Sequence, residues 1–171
     1  DTSTDSHHAL PTVDFTRERI EEIELYPYRE LIKNGLASVM VAHLNVPSIE
    51  SRENYPSSLS EKVVTDILKN QLKFEGLIFT DALNMKGASN FKQPGDIDLA
   101  AFLAGNDVLL FAENVPTAIE KFKQAFKDKL FTEERLAHSV KKILKYKYKA
   151  GLNNYCPIEF ENLYADLNKK E

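Results

Sequence analysis

Short apolar runs alternate along the chain with polar turns and amphipathic stretches, the rhythm of strand and helix units in an α/β protein. The first amphipathic stretch, residues 15–33, sets Ile20, Ile23, Leu31 and Ile32 among many acids and bases. It predicts a helix interrupted near Pro27, whose ring removes a backbone donor, and stopped by Asn34-Gly35. Residues 37–43 are nearly all apolar, as in a strand of a parallel sheet covered on both faces. A long loop over residues 44–58 leads to a second helix over residues 59–74. Val63, Val64, Ile67, Leu68 and Leu72 share one face of that helix, and Ser60 is placed to cap it. Glu75-Gly76 ends it, and residues 77–80 form the next strand.

Residues 84–95 read as a loop, 96–104 as a short helix ended by Gly105, and 108–111 as a third strand. Two helices follow. The first, over residues 115–130, has Pro116 in its first turn; the second, over 132–150, has Thr132, Glu133 and Glu134 at its start and Gly151 as its stop. Residues 153–171 read as a polar tail or a linker. A closed (β/α)8 barrel needs eight strands and ~250 residues, so three strand units cannot close one. Two architectures fit: a small open α/β sheet, or a portion of a barrel whose first strands lie upstream. Residues 1–8 lack the basic start and apolar stretch of a signal peptide and read as a loop entered from upstream sequence.

Composition narrows the partners. The net charge is -4, with Lys and Arg dispersed among acids, so no basic stripe marks a nucleic-acid partner. No apolar run approaches the ~20 residues of a membrane span. The one cysteine, Cys156, excludes an intrachain disulfide and a cysteine metal cluster.

In parallel α/β folds the chemistry sits at the carboxyl ends of the strands. Asp81, His43 and Glu113 occupy such positions, whereas Asp107 begins its strand and reads as a turn residue. A carboxylate at Asp81 can act as nucleophile, base or metal ligand, and can equally cap a helix. His43 can bond a substrate or close the polar rim of its strand. Glu113 can serve acid–base work or favour the coming helix N-terminus. In the opening loop, Asp5 and His7 are one residue apart, so the carboxylate can hold one ring nitrogen while the other moves a proton. A zinc site from His7 and His8 is disfavoured, because adjacent residues seldom converge on one ion.

Five blocks now point the same way: Asp1 to His7 followed by Ala9-Leu10-Pro11; Val39 to His43; Leu59-Ser60; Gly76-Leu77-Ile78-Phe79-Thr80-Asp81-Ala82-Leu83-Asn84-Met85; and Ala104 to Leu110. In this order they resemble bacterial β-N-acetylglucosaminidases of glycoside hydrolase family 3, the NagZ-like branch, over residues 1–152. The resemblance implies the C-terminal portion of a (β/α)8 TIM barrel, with residues 153–171 as a tail or linker, and retaining hydrolysis of terminal β-linked N-acetylglucosamine from peptidoglycan fragments. It makes Asp81 the nucleophile and His7 the acid/base oriented by Asp5, on a mobile loop, with His43 and Met85 against the substrate. No cofactor or metal is needed. The partners implied are a carbohydrate substrate and the N-terminal half of the same barrel, since the family's Lys-His pair and its sugar-gripping arginine and aspartate fall upstream of residue 1. The alternative is a non-catalytic barrel fragment serving as a structural or interaction module.

Overall fold

The structure is a computed structural model that describes residue 2, residues 4–157 and residues 160–169. Asp1 and Ser3 of the opening motif, and Ile158, Glu159, Lys170 and Glu171 of the tail, lie outside the described residues. Helix α1 (Arg17–Arg19), capped by the Thr16 hydroxyl, widens into a π-helical turn (Ile20–Glu24) and restarts as α2 (Tyr26–Lys33). The predicted interruption is therefore real, and Pro27 sits in the first turn of α2, where a missing N–H costs nothing.

Strand β1 (Ser38–Val41) pairs in parallel with β2 (Leu77–Thr80), Val39 facing Ile78 and Met40 facing Phe79. Because side chains alternate along a strand, Val39, Val41 and Ile78 fall on one face and pack with Val64, Leu68, Phe74 and Ala104. Met40 falls on the other face and is 55% exposed, so the expected cover on both faces is present on one only. Truncating Ile78 to Ala in this core would cost about 2–5 kcal/mol.

The third strand differs from expectation. Residues 107–112 lie beside β2 in the predicted parallel sense, but they pair only through the Phe79–Val108 bridge and flanking bonds such as Thr80 N–H to the Val108 carbonyl. Phe111 adopts a left-handed φ of 52°, which ends the extended run, and among the described residues no strand neighbours the outer side of the segment. The Thr80 hydroxyl compensates by accepting from Leu110 N–H.

The helix predicted over residues 59–74 is a 3-10 turn (Ser57–Leu59) followed by a wide π-helix (Lys62–Gln71). Short α3 (Lys86–Ser89) appears inside the predicted loop, and α4 (Asp96–Ala104), α5 (Val115–Lys127) and α6 (Glu133–Lys149) follow as the sequence suggests. Asn114 and Thr132 cap α5 and α6 through their side chains. The tail contains a 3-10 turn (Leu152–Asn154) and α7 (Leu163–Leu167). Among the described residues no helix is long and apolar enough to cross a membrane.

At the amino end of the sheet, Asp107 is buried and accepts from Ile78 N–H, the Ser139 hydroxyl and Lys142, tying β2 to α6. Gly105 precedes it at φ 122, where a Cβ would stand 2.5 Å from the Thr65 hydroxyl. This end of the fold is a structural clamp: Asp107, expected as a turn residue, is structural through its carboxylate instead. The opposite end is free to carry chemistry.

Candidate active site

Asp81 is the first residue beyond β2. Its N–H donates to the Val41 carbonyl (3.0 Å), so sheet pairing runs one residue past the strand and fixes the Cα from which the half-buried carboxylate projects. Oδ1 accepts from Ala82 N–H at 2.8 Å.

His43 stands at the carboxyl end of β1 with no exposed surface. Its Nε2 lies 3.0 Å from the Ala82 carbonyl and its Nδ1 2.6 Å from the Ser58 hydroxyl. A carbonyl only accepts, so Nε2 carries the proton and Nδ1 accepts from Ser58. Burial pushes the imidazole below its ordinary value, against the opposing pull of the Ala82 carbonyl and the Asp81 charge. Both ring nitrogens are engaged and none of the ring is exposed, which suits His43 to support its neighbours. His43 is a strut beneath the residue that follows Asp81.

Met85 is also buried. Its N–H donates to the same Ala82 carbonyl (3.0 Å), and its own carbonyl accepts from Ala88 and Ser89 to start α3. Asp81, His43 and Met85 are thus joined through one residue, Ala82.

The opening loop forms the predicted dyad. His7 Nδ1 lies 2.7 Å from Asp5 Oδ1, and the same oxygen accepts from His7 backbone N–H at 2.9 Å. The two His7 contacts, the backbone one first, hold the Asp5 carboxyl below its usual range. An ionised Asp5 requires the proton on Nδ1 and leaves Nε2 of the exposed His7 ring to exchange a proton with a reactant. The loop is closed on itself by His8 N–H and Ala9 N–H bonding the Asp5 carbonyl. It is docked on α3, the helix that follows Asp81 in the chain, by Gly87 N–H donating to the Ser6 carbonyl at 3.1 Å. Glu113 is exposed at the end of the third segment and joins none of these bonds, while its neighbour Asn114 caps α5. Among the described residues no group of three His, Cys, Asp or Glu side chains converges to hold a metal ion.

Ser58 and Gly87 were not among the residues the sequence singled out. The run Pro56-Ser57-Ser58-Leu59-Ser60 offers hydroxyls after a strand-end histidine, which is a usable signal for Ser58. Gly87 carries no local signal, because its role depends on a segment 81 positions away in the chain.

A carboxylate at the end of a parallel strand, and a His–Asp pair docked on the segment that follows it, are the residue types that attack assisted by proton transfer uses. The family described as "Glycosyl hydrolase family 3 N terminal domain" matches residues 1–146, and the chain belongs to it. Beta-hexosaminidase A of Pseudoalteromonas piscicida is 31% identical over 168 residues, 87% of this chain and 28% of that protein. A beta-hexosaminidase of Chromobacterium violaceum is 39% identical over 109 residues, 62% of this chain and 29% of that protein. Among solved structures, a glycoside hydrolase family 3 beta-N-acetylglucosaminidase from Paenibacillus sp. str. FPU-7 superposes with TM-score 0.87 at 34% identity, covering 94% of this chain and 31% of that one. The chain therefore spans under a third of the length of each of these relatives.

Proposed function

We propose that the protein containing this chain is a retaining glycoside hydrolase that removes terminal β-linked N-acetylglucosamine, with peptidoglycan fragments as the substrate class. The observation that carries the reading is the Asp5–His7 pair, bonded at 2.7 Å and docked through Ser6 on the segment that follows Asp81. The relatives named beta-hexosaminidase and beta-N-acetylglucosaminidase support the substrate. Residues 1–152 then form the C-terminal part of a (β/α)8 barrel, with 153–171 as a tail or linker and the N-terminal half completing the sugar pocket.

In the first step an Asp81 oxygen attacks the anomeric carbon, the glycosidic C–O bond breaks, and His7 Nε2 gives its proton to the departing oxygen. In the second, neutral His7 takes a proton from water as the water's oxygen displaces Asp81 from the anomeric carbon, which restores both groups. A histidine suits the task. Its neutral form adds no second negative charge beside Asp81, and its ordinary pKa lies near working pH. Met85, buried but for 9% of its surface, is the residue the family resemblance sets against the sugar, while His43 holds Ala82, and hence Asp81, in place.

The test is a leaving-group series of aryl β-N-acetylglucosaminides with the full-length protein. Asp81→Ala should abolish turnover. His7→Ala should lose ~100- to 10,000-fold in kcat/KM on poor leaving groups and much less on good ones, since only the former need the proton. Added azide should restore part of the turnover of His7→Ala on good leaving groups by attacking the glycosyl-enzyme without a base. A loss independent of the leaving group, with no azide rescue, would move the acid/base role away from His7, and Glu113 would be tested next.

A further inference from the structure

Gly87 is the second residue of α3, and its φ is not positive, so its own backbone has no need of glycine. In a helix alanine is preferred at such a position. The surroundings give the reason for glycine. A Cβ at residue 87 would lie 3.1 Å from the Ser6 carbonyl oxygen, 3.3 Å from His43 Cβ and 3.4 Å from the Ala9 carbonyl oxygen. The first two are tighter than nine in ten real Cβ contacts, and His43, fixed at both nitrogens and fully buried, has little room to yield. What can move is the exposed loop of residues 5–9.

We propose that Gly87 is the latch of the acid/base loop: its N–H holds the Ser6 carbonyl, and its missing side chain lets that loop seat close enough to Asp81 for His7 to act. The latch rests on the reading of His7 and Asp81 as acid/base and nucleophile. It extends that reading by naming a positioning residue outside the reacting groups. His43 has a second part in it, as the wall against which α3 is held while the loop closes from the other side. Proton transfer needs heavy atoms about 2.6–3.2 Å apart, so a loop lifted by even part of an ångström loses acid catalysis before it loses substrate.

The experiment uses the full-length protein and reads kcat/KM across the same leaving groups, with hydrogen exchange followed by mass spectrometry. Gly87→Ala should lose about tenfold to a hundredfold on poor leaving groups, with little loss on good ones, because a misplaced acid costs only what the acid supplies. Exchange should quicken over residues 5–9 and stay unchanged in the core around β1 and β2. Kinetics and exchange both equal to the unaltered protein would overturn the proposal, as would a loss equal on all leaving groups with the core still protected. Should Gly87→Ala fail to fold, the unaltered protein decides. There the amides of His8, Ala9 and Gly87 should be protected and open at a common rate, and a Gly87 amide that exchanges freely would overturn the latch. His7→Ala run alongside separates the two ideas. If its loss does not depend on the leaving group, the acid/base assignment fails, while the exchange data still judge the latch.

Discussion

Ala82 has no reactive atom, yet the site is organised around it. Its N–H is held by the Asp81 carboxylate, and its carbonyl receives both His43 Nε2 and Met85 N–H. The Asp81 side chain therefore has one oxygen committed to the backbone, and its direction depends on where His43 pins the following peptide. Replacing His43 with Ala leaves the Ser58 hydroxyl and one bond of the Ala82 carbonyl unmet in a buried place, at a cost of about 1–3 kcal/mol. It should also lower kcat more than it raises KM, since the ring is buried beneath Ala82 and acts through that peptide. A pH signature goes with it. Burial lowers the His43 pKa in the fold from its ordinary 6.5, so the unfolded chain takes up the proton first as pH falls. The stability from neutral His43 is present above about pH 6.5 and drains away below it. Thermal melts from pH 8 to 5 should show a fall in the unaltered protein that is smaller in His43→Gln, and parallel curves would contradict the role given to His43.

At the scale of elements, the π-helix Lys62–Gln71 begins over a buried acid, Glu50, which accepts from Arg52 and from the Ser60 hydroxyl at 2.6 Å. Arg52 is the main cause that holds the Glu50 carboxyl down to about 2, with Ser60 assisting. Its charged form thus contributes stability above the ordinary value of 4.5 that is lost as pH falls toward 2. Glu50→Gln should cost about 1.5–3 kcal/mol at neutral pH, and the difference from the unaltered protein should shrink below pH 4.5. Equal melting at neutral pH would remove Glu50 from the fold's supports. Glu50 was not legible in the sequence, being one acid in a loop whose partners are set by how that loop folds back. The Ser60 cap was legible in part, because its hydroxyl reaches Val63 N–H at 3.4 Å while donating to Glu50. The helices α4, α5 and α6 were readable because caps and apolar spacing act locally. Four-residue α3 was not, as it depends on Met85 being tied to Ala82. The third strand was readable as apolar sequence but not as an irregular edge, since the left-handed turn of Phe111 that ends it carries no local signal.

Over the whole molecule, one face of the sheet is packed and the other is open at Met40, 55% exposed, while Phe111, where the extended run of the third segment ends, is 67% exposed. An apolar groove of about 600 Å³, lined by Leu109, Ile119, Phe122, Phe131 and Leu136, contains none of the site residues. Uncovered apolar surface of this kind accords with the proposed partial barrel, whose sugar pocket belongs to the protein as a whole. The strand-end aspartate and the Asp-x-His pair were legible as residue types at the right places. The docking of the Asp5–His7 loop on α3 was not, for it passes through the Ser6 carbonyl and Gly87, which no side-chain pattern encodes. The central claim is that Asp81 forms the bond to the sugar. The direct measurement is to trap that bond in the full-length protein with a fluorinated N-acetylglucosaminyl fluoride, digest it, and locate the added mass. The label should sit on the peptide containing Asp81 and be absent from Asp81→Asn; a label on any other residue, or hydrolysis with inversion at the anomeric carbon, would contradict the account.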